Sequence, residues 1–171
     1  MKKEVAVLLH NIRSTHNVGS IFRTADAAGV SHMYLTGYTP TPVDRFGRAQ
    51  KDIAKTALGA EKFLPWEHQM SPLRLLSKLK KEGWHIVAVE QDACARDYRS
   101  FKQKKKTIFV FGNEVQGISK SLLKKCDAVL EIPMQGAMVR QAHHPRHSGR
   151  GKESLNVSVA AGIILFSFLS E

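Results

Sequence analysis

The sequence is poor in cysteine, in acidic residues and in uninterrupted apolar stretches, and each shortage removes a class of protein. Its two cysteines, Cys94 and Cys126, form no CxxC pair. The N-terminal Met-Lys-Lys-Glu leads into only six apolar-rich residues, too few for a secretory leader. A reduced, cytoplasmic chain is the expectation. The longest apolar stretch, Leu155 to Leu169, is interrupted by Asn156, Ser158 and Ser167 and falls short of the roughly 18 residues a membrane span needs. It reads as a buried helix, with no membrane partner. Acids number 15 against 26 lysines and arginines, leaving a net charge of +11. Such a surplus favours a polyanionic partner, nucleic acid before any other. Two nucleotide signatures are missing as well. Gly112 and Gly117 have the spacing of a phosphate-binding loop, but Ile118 stands where that loop demands lysine, and no GxGxxG occurs.

What is present is enough for one substantial core: 171 residues, 43% of them apolar, bury a single domain but not two ordinary ones. Short β-rich runs alternate with helical patterns throughout, the mark of an α/β fold with a mostly parallel sheet and helices on both faces. Strands are expected at Val5 to His10, His32 to Thr36, Trp84 to Glu90, Thr107 to Phe111 and Ala128 to Ile132. Helices are expected at Val18 to Ala28 before Gly29, at Pro72 to Lys81 with Ser71 as N-cap and Gly83 beyond, at Ser119 to Lys125, and at Asn156 to Leu169. The segment Gly37 to Gln50, with Pro40, Pro42 and Gly47, reads as a loop whose Arg45 and Arg48 suit phosphate contacts, or as a plain solvated connector.

One stretch breaks the surrounding composition. Ala137 to Gly151 carries three arginines, three histidines and no acid, between a strand and a helix where connections usually run about 2 to 6 residues. Without an apolar face it reads as an atypical inserted surface loop. Pro145 breaks any helix that would align His143 with His147, so no metal site is expected there.

Three polar segments are candidates for chemistry. The first runs from Asn11 to Ala25 between a strand and a helix; Asn17 and Arg23 lie where α/β sheets bind ligands, outside the carboxyl ends of strands. Taken alone, they are explained more simply by an ordinary capped helix with a surface arginine. The second is Gly112-Asn113-Glu114-Val-Gln-Gly117 after a buried strand, where Glu114 either faces a site or caps the short helix that follows. The third joins Ile132-Pro133-Met134-Gln-Gly136 to Ser154-Leu155-Asn156-Val157; Asn156 at a helix start has a structural use of its own, and Met134 is core by default.

In this order the three segments resemble the SpoU family of the SPOUT superfamily, S-adenosylmethionine-dependent RNA ribose 2'-O-methyltransferases. The likeness rests on Asn17-x-Gly-x-Ile-x-Arg23-Thr-Ala, on Gly112-Asn113-Glu114-x-x-Gly117, and on Ile132-Pro133-Met134-x-Gly136 followed by Ser154-Leu155-Asn156-Val157-Ser-Val-Ala. It covers essentially the whole chain and departs from the family at the insert, which intervenes where the family has a few residues.

The resemblance implies a C-terminal deep trefoil knot and a homodimer with each site near the subunit interface. It also implies methyl transfer to a ribose 2'-hydroxyl of tRNA or rRNA, not DNA. The first motif begins at Asn11, so no additional N-terminal RNA-binding domain is expected. Arg23 would be catalytic, stabilising the developing alkoxide rather than acting as a base, because a guanidinium holds its proton strongly. Asn17, Glu114, Ser154 and Asn156 would complete the polar site. The cofactor would rest on Phe111 to Glu114, Gly117, Ile132 to Gly136 and Ser154 to Val157, with Ile132, Met134 and Leu155 beside the adenine. Arg13, Arg23, Arg45 and Arg48 would meet RNA. Lys102, Lys104, Lys105 and Lys106 would either join them or form a solvated face. The alternative is an RNA-binding homologue of the same fold whose catalysis the insert impairs.

Overall fold

The computed structural model describes residues 3–134 and 154–169. Gly136 and the insert at 137–151 lie outside the described residues, as does the connection through which a knot would be threaded.

Seven parallel strands are described: β1 (Glu4–His10), β2 (His32–Thr36), β3 (Trp66–Gln69), β4 (His85–Val89), β5 (Arg96–Asp97), β6 (Lys106–Phe111) and β7 (Ala128–Glu131). They lie side by side in the order β3-β2-β1-β6-β4-β7-β5. The helices are α1 (Thr15–Ala28), α2 (Lys51–Ala57), α3 (Ala60–Phe63), α4 (Pro72–Lys81), α5 (Lys120–Leu123) and α6 (Val157–Leu169), with one 3-10 turn at Tyr98–Ser100.

The central strands are near-continuous apolar runs because both sheet faces are covered. Val5, Val7 and Leu9 of β1 join Phe109 and Phe111 of β6 in a core shared with Ile21 and Phe22 of α1, Ile53 of α2 and Ile164 of α6. The alternate residues Ala6, Leu8, Ile108 and Val110 face the other way, onto Leu75, Leu76 and Leu79 of α4 and Leu122 of α5. Two-residue periodicity thus splits each strand between two cores.

Helix ends follow local chemistry. Ser14 accepts a hydrogen bond from the Asn17 backbone N–H (3.2 Å), so α1 starts three residues earlier than hydrophobic periodicity alone predicts, and Gly29 closes it in the left-handed conformation at φ 84°. Ser71 and Ser119 cap α4 and α5 in the same way. Two strands and two short helices, β3, β5, α2 and α3, are additions to the sequence reading. β3 is a mostly polar edge strand, β5 has two residues, and neither α2 nor α3 has a side-chain cap. Elements this short form because tertiary packing holds them. The expectation for α6 is also corrected. It is not buried throughout, since Val159 and Phe166 are exposed while Ala161, Ile164 and Leu165 are buried.

Candidate active site

Strands β6, β4 and β7 are neighbours, and their carboxyl ends border one cleft that is open to solvent. Its walls include Val89, Glu90 and Gln91 at the end of β4, Phe111 at the end of β6 with Gly112 to Val115 and Gly117 beyond it, Glu131, Ile132 and Met134 at the end of β7, and Ser154, Leu155, Val157 and Ala160 at the start of α6. Of the residues expected to hold a cofactor, Phe111, Gly112, Asn113, Glu114, Gly117, Ile132, Met134, Ser154, Leu155 and Val157 line this cleft. Pro133 is exposed and Asn156 lies beside it; neither is among the lining residues.

The turn after β6 is built from side chains that take up backbone groups. Asn113, almost fully buried, accepts from the N–H groups of Val115 (2.9 Å) and Gln116 (2.8 Å) through Oδ1. Its Nδ2 donates to the Asn11 carbonyl (2.9 Å) and the Tyr38 hydroxyl (2.8 Å). Glu90 braces the far side of the turn: one carboxylate oxygen accepts from Ile118 N–H (2.7 Å), the other from Gln91 N–H (2.9 Å). Gly117 adopts φ 67°, and any Cβ there would collide with the Glu90 carboxylate, which is why this turn needs glycine at that point.

Glu114 does not cap the short helix after it; Ser119 does that. Its carboxylate reaches instead to the start of α1, about 100 residues away in sequence. It accepts from Arg13 N–H (3.1 Å), Ser14 N–H (3.3 Å) and Asn17 Nδ2 (3.1 Å). Partial burial pushes its pKa up, but hydrogen bonds from its own N–H, Arg13, Asn17 and Ser14 outweigh that and hold the carboxyl below the usual glutamate value. Asn17 passes the connection on: its Oδ1 accepts from Asn156 Nδ2 (3.2 Å), and Asn156 Oδ1 accepts from Ser158 N–H (2.8 Å), capping α6. The three motifs therefore meet in one hydrogen-bonded chain, Arg13/Ser14–Glu114–Asn17–Asn156–Ser158. Both uses weighed for Asn156, helix start and polar site, coexist.

Arg23 is not part of that chain. It lies six residues, about 9 Å of helix axis, beyond Asn17 on the exposed side of α1, and makes no ion pair or hydrogen bond among the described residues. Arg13 contributes only its backbone N–H to Glu114, and its side chain is exposed. Arg45 and Arg48 sit in the loop after β2, where Asp44 holds Arg48 (Nε to Oδ2, 2.8 Å). The lysine run leads into the amino end of β6, so about 17 Å of strand separates Lys106 from the cleft.

Glu90, Gln91 and Glu131 were absent from the sequence-based site. The signal was present, since Glu90 closes an expected strand and sites form at carboxyl ends, but that β4 lies between β6 and β7 was not legible. Glu90, Glu114 and Glu131 line the cleft, and among the described residues no lysine or arginine does. In a chain of charge +11 this is a local reversal of sign.

The SpoU rRNA Methylase family model matches residues 4–139. A tRNA (guanosine(18)-2'-O)-methyltransferase from Aquifex aeolicus is 31% identical over 165 residues, covering 96% of this chain and 68% of that protein. The AdoMet-bound rRNA methyltransferase from Sinorhizobium meliloti superposes with a TM-score of 0.79 at 28% identity, covering 97% of this chain and 56% of that one. The A. aeolicus TrmH/SpoU tRNA modifying enzyme gives 0.76 at 30% identity, covering 96% and 73%. The chain thus spans from just over half to about three quarters of these relatives. Matched over most of its length in sequence and in fold, the chain belongs to the SpoU rRNA methylase family.

Proposed function

We propose that this chain transfers a methyl group from S-adenosylmethionine to a ribose 2'-hydroxyl of tRNA or rRNA in the cytoplasm. The observation that carries the reading is the cleft at the ends of β4, β6 and β7, joined to the hydrogen-bonded chain that ties the three motifs together. The cleft suits the cofactor chemically: Ile132, Met134 and Leu155 offer apolar surface for an adenine, backbone groups of the 112–117 turn offer polar edges, and the carboxylates suit a cationic ligand. When bound, S-adenosylmethionine supplies the methyl group on a positively charged sulfonium.

The remaining chemistry falls to the protein. Asn17, Glu114 and Asn156 fix the start of α1 against the cleft wall, so that the incoming hydroxyl is aligned before reaction. Ser154 stands at the mouth. Arg23 is assigned the developing negative charge on the ribose oxygen and the neighbouring phosphate, with Arg13, Arg45 and Arg48 toward the RNA backbone. Arg23 lies apart from the network within one chain, and a homodimer with each cleft near the subunit interface accounts for its use. α6 supports that assembly. It is apolar on all sides yet leaves Val159 and Phe166 exposed, a pattern that calls for a covering partner. We read residues 1–171 as a single domain.

The test is incubation of the purified chain with methyl-labelled S-adenosylmethionine and bulk unmodified tRNA or rRNA, followed by digestion to nucleosides. The expected product carries label on the ribose 2'-oxygen; label on a base would overturn the assignment. Light scattering checks the assembly, with twice the chain mass expected.

A further inference from the structure

The loop between β2 and α2 carries an aromatic side chain that the catalytic reading leaves unused. Phe46 is 66% exposed, yet the loop that presents it is closely organised. Asp44 Oδ1 accepts from the N–H groups of Phe46 (2.8 Å) and Arg48 (2.9 Å), and its Oδ2 accepts from Arg48 Nε (2.8 Å). Asp44 N–H donates to the Arg48 carbonyl, Gly47 N–H to the Asp44 carbonyl, and Val43 bridges Ala49 across the base of the loop. An apolar ring this exposed at the tip of an ordered loop is presented rather than packed. Two guanidiniums lie over its ring: Arg45 Cζ is 4.7 Å and Arg48 Cζ 5.1 Å from the ring centroid. Arg48 is already engaged by Asp44, whereas Arg45 has no acidic partner among the described residues.

The loop also has a fixed relation to the cleft. It leaves the carboxyl end of β2, the same edge of the sheet, and Tyr38 at its root accepts the hydrogen bond from Asn113 in the cleft wall. We infer that Phe46, with Arg45 and Arg48 over its ring, is a stacking platform for an unpaired nucleobase of the RNA near the methylated ribose. The base takes the place of the Arg45 guanidinium over the Phe46 ring, Arg45 turns to the adjacent phosphate, and Arg48, fixed by Asp44, keeps its place over the ring. Aromatic and guanidinium planes are the surfaces on which splayed-out RNA bases rest. This rests on the RNA substrate proposed above and adds to it what that RNA must offer: an unstacked base, not a continuous duplex.

The experiment compares binding of a short single-stranded oligoadenylate and a blunt RNA duplex of equal charge to the wild-type chain and to Phe46→Ala, Phe46→Trp and Arg45→Ala, all at one salt concentration. Phe46→Ala should weaken oligoadenylate binding about tenfold and leave duplex binding unchanged. Arg45→Ala should weaken both. Phe46→Trp should retain affinity, and its added fluorescence over wild type should be quenched by oligoadenylate, as stacking requires. Equal loss on both RNAs in Phe46→Ala, an unquenched added signal in Phe46→Trp, or a change in solution mass that marks Phe46 as a contact between copies would each overturn the platform. The readout is binding, so a failure of methyl transfer alone leaves this result standing. Failure of the wild-type chain to bind either RNA would overturn the platform and the RNA substrate together.

Discussion

Against partial burial, hydrogen bonds from its own N–H and from three groups at the start of α1 hold the Glu114 carboxyl below the usual glutamate value, and folding is linked to that ionisation. Its folded pKa is lowered, so its contribution to stability is complete above the ordinary glutamate value and is lost as pH falls through the lowered one. Glu114→Gln should therefore be less stable at neutral pH by about 1–2 kcal/mol, since an amide turns a donor toward backbone N–H groups that need an acceptor. Its stability should also decline less on acidification than that of wild type. Urea unfolding at neutral and acidic pH checks both; parallel curves for the two proteins would remove Glu114 from the linkage. Arg23 makes the opposite prediction. Being exposed and outside the network, it should be replaceable by alanine without loss of stability or of S-adenosylmethionine affinity, whereas the activation free energy should rise by about 3 kcal/mol, lowering turnover roughly 100-fold. Single-turnover methylation with saturating RNA measures it.

At the scale of elements, the first motif is as much a packing signal as a chemical one. Gly19 is buried where α1 crosses α2, and a Cβ built on it would lie 2.5 Å from the Ile53 carbonyl oxygen and 3.1 Å from Ala57 N, with Thr56 Oγ1 closer still. Gly19 in this motif therefore lets two helix backbones touch. Gly19→Ala should cost about 1–3 kcal/mol by overpacking, seen as a lower urea midpoint at an unchanged slope. Asn17 shares this helix, so the displacement should also loosen its bond to Asn156 and lower methyl transfer.

For the whole molecule the governing quantity is charge. A net +11 carried mainly on the surface, around a cleft lined by three carboxylates, fits the two tasks of the proposed reaction, attracting a polyanion and holding a cation. RNA affinity should fall by about tenfold or more between roughly 50 and 200 mM salt, through counterion release. S-adenosylmethionine affinity should change little over the same range, because a small ligand in a half-enclosed cleft releases few counterions on binding. A flat RNA response, measured by fluorescence anisotropy, would mean that the lysines and arginines serve solubility.

Local chemistry in the chain was sufficient for the class of fold, the central strands and the main helix ends: β-branched and aliphatic runs, Ser71 and Pro72 at one end of α4, Gly29 beyond α1. It was also sufficient to mark the three motifs, since each is a compact run of residues. It did not carry the relations between them. Glu114 read alone was an equal candidate for capping α5, and only the placement of β6 beside β1 sets it against α1. Glu90 belongs to the cleft because β4 lies between β6 and β7, Arg23 stands apart because six residues of helix turn it away, and Phe46 is exposed because Asp44 holds its loop. Each is decided by strand order or by a contact that sequence periodicity does not encode, because hydrogen bonds and packing across such separations depend on which surfaces the folded sheet brings together.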